Sequence, residues 1–166
     1  MFRTISDFID DWAYESSATL KIFNALTNES LNQKVTPGGR SLGRLAWHIT
    51  LSLPEMLNRT GLEIGTFDES SPVPTTVSTI ISGYEKFSQK VSDEIKKSWS
   101  DKSLLDKVNM YGQTWTKGKV VAALIGHQTH HRAQMTVLMR QAGLKVPGVY
   151  GPAKEEWPAM GMPAQE

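Results

Sequence analysis

Residues 116–143 read TKGKVVAALIGHQTHHRAQMTVLMRQAG. Thr116 is a good helix cap, and behind it Val121, Leu124, Gln128, His131, Met135, Leu138 and Ala142 recur at helical spacing, so they share one face of a long last helix. Gly143 is well placed as its left-handed stop. This helix carries three of the four histidines. His127 and His131 stand one turn apart on the same face, about 5–6 Å apart at Cβ, where two imidazoles can grip one ion. His130 lies about 100° further round the axis and reads as a solvent or interface histidine, with support of the ion's ligands as the lesser reading. By itself such a pair is more often a polar patch on a helix surface than a ligand pair. The metalloprotease pattern also needs a glutamate after the first histidine, and this chain has Gln128 there, which argues against a zincin-type peptidase.

Upstream, Ile5, Phe8, Ile9, Trp12, Leu20, Phe23 and Leu26 predict a first helix from about Thr4 to Thr27. After the turn chemistry of TPGGRS, Ser41 caps a second helix through Leu42, Leu45, Ala46, Ile49, Leu53 and Met56, closing near Gly61, with a local kink expected at Pro54. Residues 62–75 lack periodicity and read as an extended connection long enough to cross the end of a bundle. Val77, Ile80, Ile81, Tyr84, Phe87, Val91 and Ile95 define a third helix. Ser100 caps a short turn through Leu104 and Leu105, and VNMYGQTW suggests an extended or hairpin piece around Gly112. Beyond Gly143 four prolines and three further glycines exclude a continuous helix, although Val149, Tyr150 and Trp157 suggest that part of this tail is pinned down. The reading is all-α: one four-helix domain over residues 1–166, with 143–166 as an irregular tail packed on it.

The 166 residues suffice for one domain with a core of its own. Eighteen basic against 17 acidic residues leave a formal charge of +1, and the lysines of the second half are interleaved with acids, so neither nucleic acid nor an anionic membrane is an expected partner. There is no cysteine, which removes disulfides, thiolate ligands and a thiol nucleophile of the chain's own. Asp7, Asp10, Asp11 and Glu15 interrupt the N-terminal apolar residues, unlike a signal peptide, and no run reaches transmembrane length; a cytoplasmic protein is expected.

His48 lies on the second helix beside Leu45 and Ile49, where a neighbouring helix can bring it to the ion of His127 and His131. Three neutral imidazoles with an open fourth position would suit a catalytic site and favour an anionic fourth ligand such as hydroxide or thiolate. They accept zinc, nickel, copper or iron, so the metal's identity is not set by the donors. Arg132 reads as the partner of a carboxylate such as Asp11 or Glu15, and Gln134 as a second polar contact that orients rather than reacts. Trp47, Tyr84, Trp115 and Tyr150 read as core before pocket, and Met135 and Met139 as core or interface fillers.

The stretches LGRLAWHIT around His48, GHQTHHRAQMTVLMRQAG around His127 and His131, and VPGVYGPAKEEW after the last helix resemble the DinB or YfiT-like family, across almost the whole chain. The resemblance implies an antiparallel four-helix bundle with a long crossover between helices two and three, frequent homodimers, and one divalent metal, zinc or nickel foremost, on His48, His127 and His131. It also implies a metal-dependent transferase that activates a low-molecular-weight thiol for attack on an electrophilic small molecule, in a stress or detoxification role. No protein side chain is then assigned as catalytic; a metal-bound thiol or water would act at the open position. A metal-hydroxide hydrolase, its base drawn from helix one, and a non-catalytic metal-binding dimeric bundle are the competing readings.

Overall fold

The computed structural model of the chain describes residues 2–66, 68 and 70–164. The first helix, α1, spans Ile5–Asn24 and begins at a capping box, in which the Thr4 hydroxyl accepts from the Asp7 amide while the Asp7 carboxylate accepts from the Thr4 amide. Helix α2 (Leu42–Leu57) starts at Ser41, whose hydroxyl accepts from the Arg44 amide at 3.1 Å. It runs on through Pro54, and a 3-10 turn carries the chain to a left-handed Gly61 at φ 87°. Thr76 and Thr116 cap α3 (Val77–Ser98) and α4 (Lys117–Gln141) in the same manner. α4 ends in a Schellman motif: the Leu144 amide bonds to the Met139 carbonyl and the Gly143 amide to that of Arg140, with Gly143 at φ 74°.

These four helices form a ring in which α1 packs on α3 and α4, and α2 packs on α3 and α4. The core between them is built from Phe8, Trp12, Ile22 and Phe23 of α1, Leu42, Ile49, Leu53 and Leu57 of α2, Ile80, Tyr84, Val91 and Ile95 of α3, and Val121, Leu124, Met135 and Leu138 of α4. Each such large side chain, fully withdrawn from water, contributes about 1.5–3 kcal/mol before the entropy of ordering is deducted. Because α1 and α2 are not neighbours in the ring, the chain crosses it between residues 25 and 41, where a 3-10 turn (Glu29–Asn32) packs against α2. The stretch between α2 and α3 is less extended than its lack of periodicity predicts. Leu62 and Ile64 are buried, and the Asn58 side chain clamps the loop by accepting from the Ile64 amide and donating to the Gly65 carbonyl.

The expected short turn and hairpin precede α4. A 3-10 turn (Asp101–Leu105) follows Ser100, and two strands, β1 (Lys107–Met110) and β2 (Gln113–Thr116), pair antiparallel through the two-residue loop Tyr111-Gly112. Both loop residues have positive φ, 54° and 78°, the mirror-image turn geometry that matches strand twist. Glycine adopts it freely; Tyr111 does so against the clash of its Cβ. After α4 the chain lies back over α1: Lys21 donates to the Gly148 carbonyl and Tyr14 to that of Val149, and Arg140 pairs with Glu155. Among the described residues no helix is long and apolar enough to cross a membrane.

Candidate metal centre

The packing of α2 against α4 decides where the histidines meet. On α2, Leu45, Ala46 and Ile49 turn into the core, which leaves His48 at the edge of the α2–α4 contact, half-buried. On α4, Leu124, Gln128 and Met135 are buried, and the turn that carries His127 and His131 faces the same edge. Their rings converge, with centroids 4.5–4.9 Å apart. The Nε2 atom of His127 lies 3.1 Å from that of His48 and 3.2 Å from that of His131. One ligand atom from each of the three histidines falls within 4.8 Å of the others.

Protons alone cannot satisfy this cluster. The amide oxygen of Gln134 stands 2.7 Å from His131 Nδ1 and can only accept, so Nδ1 carries the proton and Nε2 presents a bare lone pair. Burial, reinforced by the neighbouring rings and by Arg40, pushes His48 and His127 down to about 4 and lowers His131 as well. At neutral pH each ring therefore holds one proton, and His127 Nε2 can donate to one neighbour at most. A tetrahedral dication with nitrogens at about 2.0–2.1 Å sets them about 3.3 Å apart, close to the 3.1 and 3.2 Å that separate His127 from its two neighbours. The trio is compatible with metal binding.

Gln134 goes further. Its amide nitrogen is 3.1 Å from His130 Nε2, so a relay runs from His131 through Gln134 to His130, whose ring also stands 4.9 Å from that of His131. His130 is exposed, as its position on the helix predicts, yet through Gln134 it does support a histidine of the cluster. His127 Nδ1 is buried and has no comparable partner.

Next to Arg132, the picture reverses. Arg132 pairs with Glu15, not Asp11, and its terminal nitrogens also donate to the Glu15 carbonyl and the Thr19 hydroxyl at 2.9 Å each, to Thr129 at 3.1 Å and to Tyr150 at 2.8 Å. Tyr150 in turn donates to the second oxygen of Glu15 at 2.5 Å. Gln128 is wholly buried and accepts from Tyr84 and Thr19, away from the cluster. Desolvation raises the phenols of Tyr84 and Tyr150.

A cavity of about 670 Å³ opens beside His48 and His127 and is lined by Arg40, Arg44, Leu51, Ser52, Glu55, Arg59 and Tyr111. None of the four aromatics weighed from sequence reaches it. Trp47 donates to Ser71, Tyr84 lies in the core, Trp115 lies beneath Lys119, and Tyr150 belongs to the Arg132 network. Nor does helix one supply a carboxylate, because Glu15 is engaged; Glu55 of α2 lines the cavity instead. The missed residues left a signal in the sequence: Arg44, His48, Ser52, Glu55 and Arg59 follow one another at three- and four-residue steps, one stripe along α2 and into the turn after it.

Comparison with known proteins agrees with this architecture. A structural neighbour, a DinB-like protein (YjoA) of Bacillus subtilis, shares the fold at a TM-score of 0.68 and 14% identity over 86% of this chain and 97% of its own. The crystal structure of a DinB-like protein from Bacillus cereus ATCC 10987 superposes with a TM-score of 0.87 at 44% identity, covering 90% of this chain and all of that one. An uncharacterized protein of Bacillus subtilis strain 168, YrdA, is 44% identical over 164 residues, which is 99% of this chain and 98% of YrdA. The DinB family model matches residues 1–165. A bundle with three converging imidazoles is thus found in a chain that belongs to the DinB family.

Proposed function

We propose that this chain is a divalent-metal-dependent transferase, with His48, His127 and His131 as the ligands, that activates a low-molecular-weight thiol for attack on an electrophilic small molecule. The observation that carries the reading is the convergence of three neutral imidazole nitrogens beside an open cavity in a chain with no cysteine. A divalent ion held there would lower the pKa of a bound thiol so that it is a nucleophile at neutral pH. Gln134 keeps the His131 lone pair aimed inward, and α2 supplies one wall of the cavity. The carboxylate of Glu55 accepts from both Arg59 and Tyr111, at 3.1 and 2.8 Å, so it is not a free base. Thiol activation by a metal needs none.

The test is metal analysis of untagged protein followed by a thiol titration of its cobalt-loaded form. One equivalent of divalent metal is expected, together with a thiolate-to-cobalt charge-transfer band on adding a small thiol. His48→Ala, His127→Ala and His131→Ala are each expected to abolish both. Protein that holds no stoichiometric metal, or variants whose metal content equals that of the parent, would remove the proposal. Glu55 favours one competing reading, a hydrolase in which this carboxylate steers water. Turnover of an ester with water alone, unaltered by thiols and reduced in Glu55→Gln, would point there.

A further inference from the structure

The cavity beside the histidines has an unequal charge lining. Three guanidiniums, Arg40, Arg44 and Arg59, face it against the single carboxylate of Glu55. That carboxylate is consumed internally: one oxygen accepts from Arg59 and the other from Tyr111, whose ring also lies under the Arg59 guanidinium at 5.1 Å. Tyr111 reaches this position from a backbone with φ 54°, a conformation costly for a bulky side chain and maintained here by the hairpin and by its contacts with Glu55 and Arg59. Arg59, Glu55 and Tyr111 therefore form one wall that is settled within itself.

Arg40 and Arg44 are different. Among the described residues neither takes part in an ion pair, and neither side chain donates a hydrogen bond. Ser41 caps α2 between them and fixes where their backbone stands relative to His48, one turn beyond Arg44. Both line the same cavity as His48 and His127, and Arg40 also borders a second hollow lined by His130 and His131, so both face the cluster rather than only bulk water. Neutral imidazoles leave a dication's charge in place, so a ligand with its own negative charge is favoured from both sides. Guanidinium forks match planar carboxylates and phosphates in geometry as well as charge.

We propose that the molecule occupying this cavity is an oxyanion-bearing small molecule whose carboxylate or phosphate docks on Arg40 and Arg44 while its other end reaches the histidine cluster. The inference deepens the function proposed above: the thiol is an acidic one, and the two arginines select it. They are binding residues, set apart from the reacting atoms.

The experiment titrates cobalt-loaded protein with three probe series matched in chain length: mercaptoalkanoates, the corresponding mercaptoalcohols, and alkanoates without sulfur. Phosphate monoesters of the mercaptoalcohols form a further arm that separates phosphate from carboxylate. Binding is read by calorimetry and, for thiols, by the charge-transfer band. The charged thiol of best-fitting length is expected to bind about tenfold or more tightly than its neutral counterpart. In the Arg40→Gln/Arg44→Gln double variant that advantage is expected to fall below about twofold, with cobalt content unchanged. Equal affinity for charged and neutral thiols in the parent protein overturns the proposal. So does an advantage that survives in the double variant, because the anion would then be chelating the metal. Alkanoates that bind as well as mercaptoalkanoates, in an arginine-dependent way, would leave this inference standing and remove the thiol reading; thiols that bind without regard to charge would do the opposite.

Discussion

His131 and Arg132 are adjacent in the chain and project about 100° apart around α4, and the two polar clusters they anchor behave in opposite ways. Around Arg132, five hydrogen bonds to Glu15, Thr19, Thr129 and Tyr150 bring donors and acceptors of complementary type together in a buried space. Around His131, three ring nitrogens meet across 3.1–3.2 Å beside an open cavity, and a proton on His127 Nε2 can bridge only one of the two contacts. A buried network in which charge and hydrogen-bonding groups are paired, though Arg132 Nε itself has no partner, is a device for fixing α1, α4 and the tail in register. One that leaves like atoms converging on a point needs a guest.

The sharpest way to break that contrast is to disturb each cluster and ask what is lost. Arg132→Leu leaves Glu15 charged and buried without its partner, so unfolding free energy should drop by about 3–5 kcal/mol. Metal content per folded molecule should not change. A variant that unfolds in urea at the parental midpoint, or one that stays folded but empties the histidine site, would show that the two clusters are not separate in role.

Acid should act on the histidine cluster. In the folded, metal-free chain His48 and His127 are held down near 4, against an ordinary value of 6.5. As pH falls through 6.5 the unfolded chain takes up protons that the folded chain refuses, so the stability present above 6.5 is lost progressively toward pH 4. The melting temperature of metal-free protein is expected to fall across that window. The fall should flatten in the His48→Ala/His127→Ala variant; an equally steep profile there would place the acid sensitivity elsewhere. Both rings are only half-buried, so solvent screening keeps the effect below that of the Arg132 variant.

Smaller still is the contribution of Gln134, which touches the cluster only through His131 Nδ1. Gln134→Ala should weaken metal affinity by about 10–100-fold through a freed ring and a lost tautomer preference. Because Gln134 is exposed, thermal stability of the metal-free chain should hold. A competition titration with a chromogenic chelator measures the first, and no change in affinity would remove Gln134 from the site. Smallest of all is Tyr111→Asn. Asparagine tolerates the positive φ, which relieves about 1 kcal/mol of strain, while the lost bond to Glu55 costs a similar amount. Stability should stay within about 1 kcal/mol of the parent in a denaturant titration, and a loss of about 2 kcal/mol or more would mean that the tyrosine holds the hairpin rather than the cavity wall.

Much of this molecule was readable before any coordinates. Ser41 and Thr116 read as helix caps from the sequence, and both are caps in the structure, where Thr4 and Thr76 serve the same role at α1 and α3. Gly143 ends α4 as placed. The three histidines were also legible, as residue types and spacings, and the structure brings them together. Ile64 was not, because a lone apolar residue in an aperiodic connection carries no phase; its burial depends on the bundle end that the connection crosses. The arginine-lined cavity escaped notice for a related reason. Arg40, Arg44 and Arg59 look like ordinary solvated charges in a chain of net charge +1, and nothing local distinguishes them from the lysines of α3.

The sequence by itself determined the helices, their ends and the identity of the candidate ligands, because capping and periodicity are short-range and act within one turn or two. Only the tertiary structure decided that α2 and α4 are neighbours, that Arg132 takes Glu15 instead of Asp11, and that Tyr111 and three guanidiniums line the cavity beside His48 and His127. Those facts depend on which faces meet after the chain has crossed the ring, and that choice is made by burial summed over the whole core rather than by any single stretch of residues.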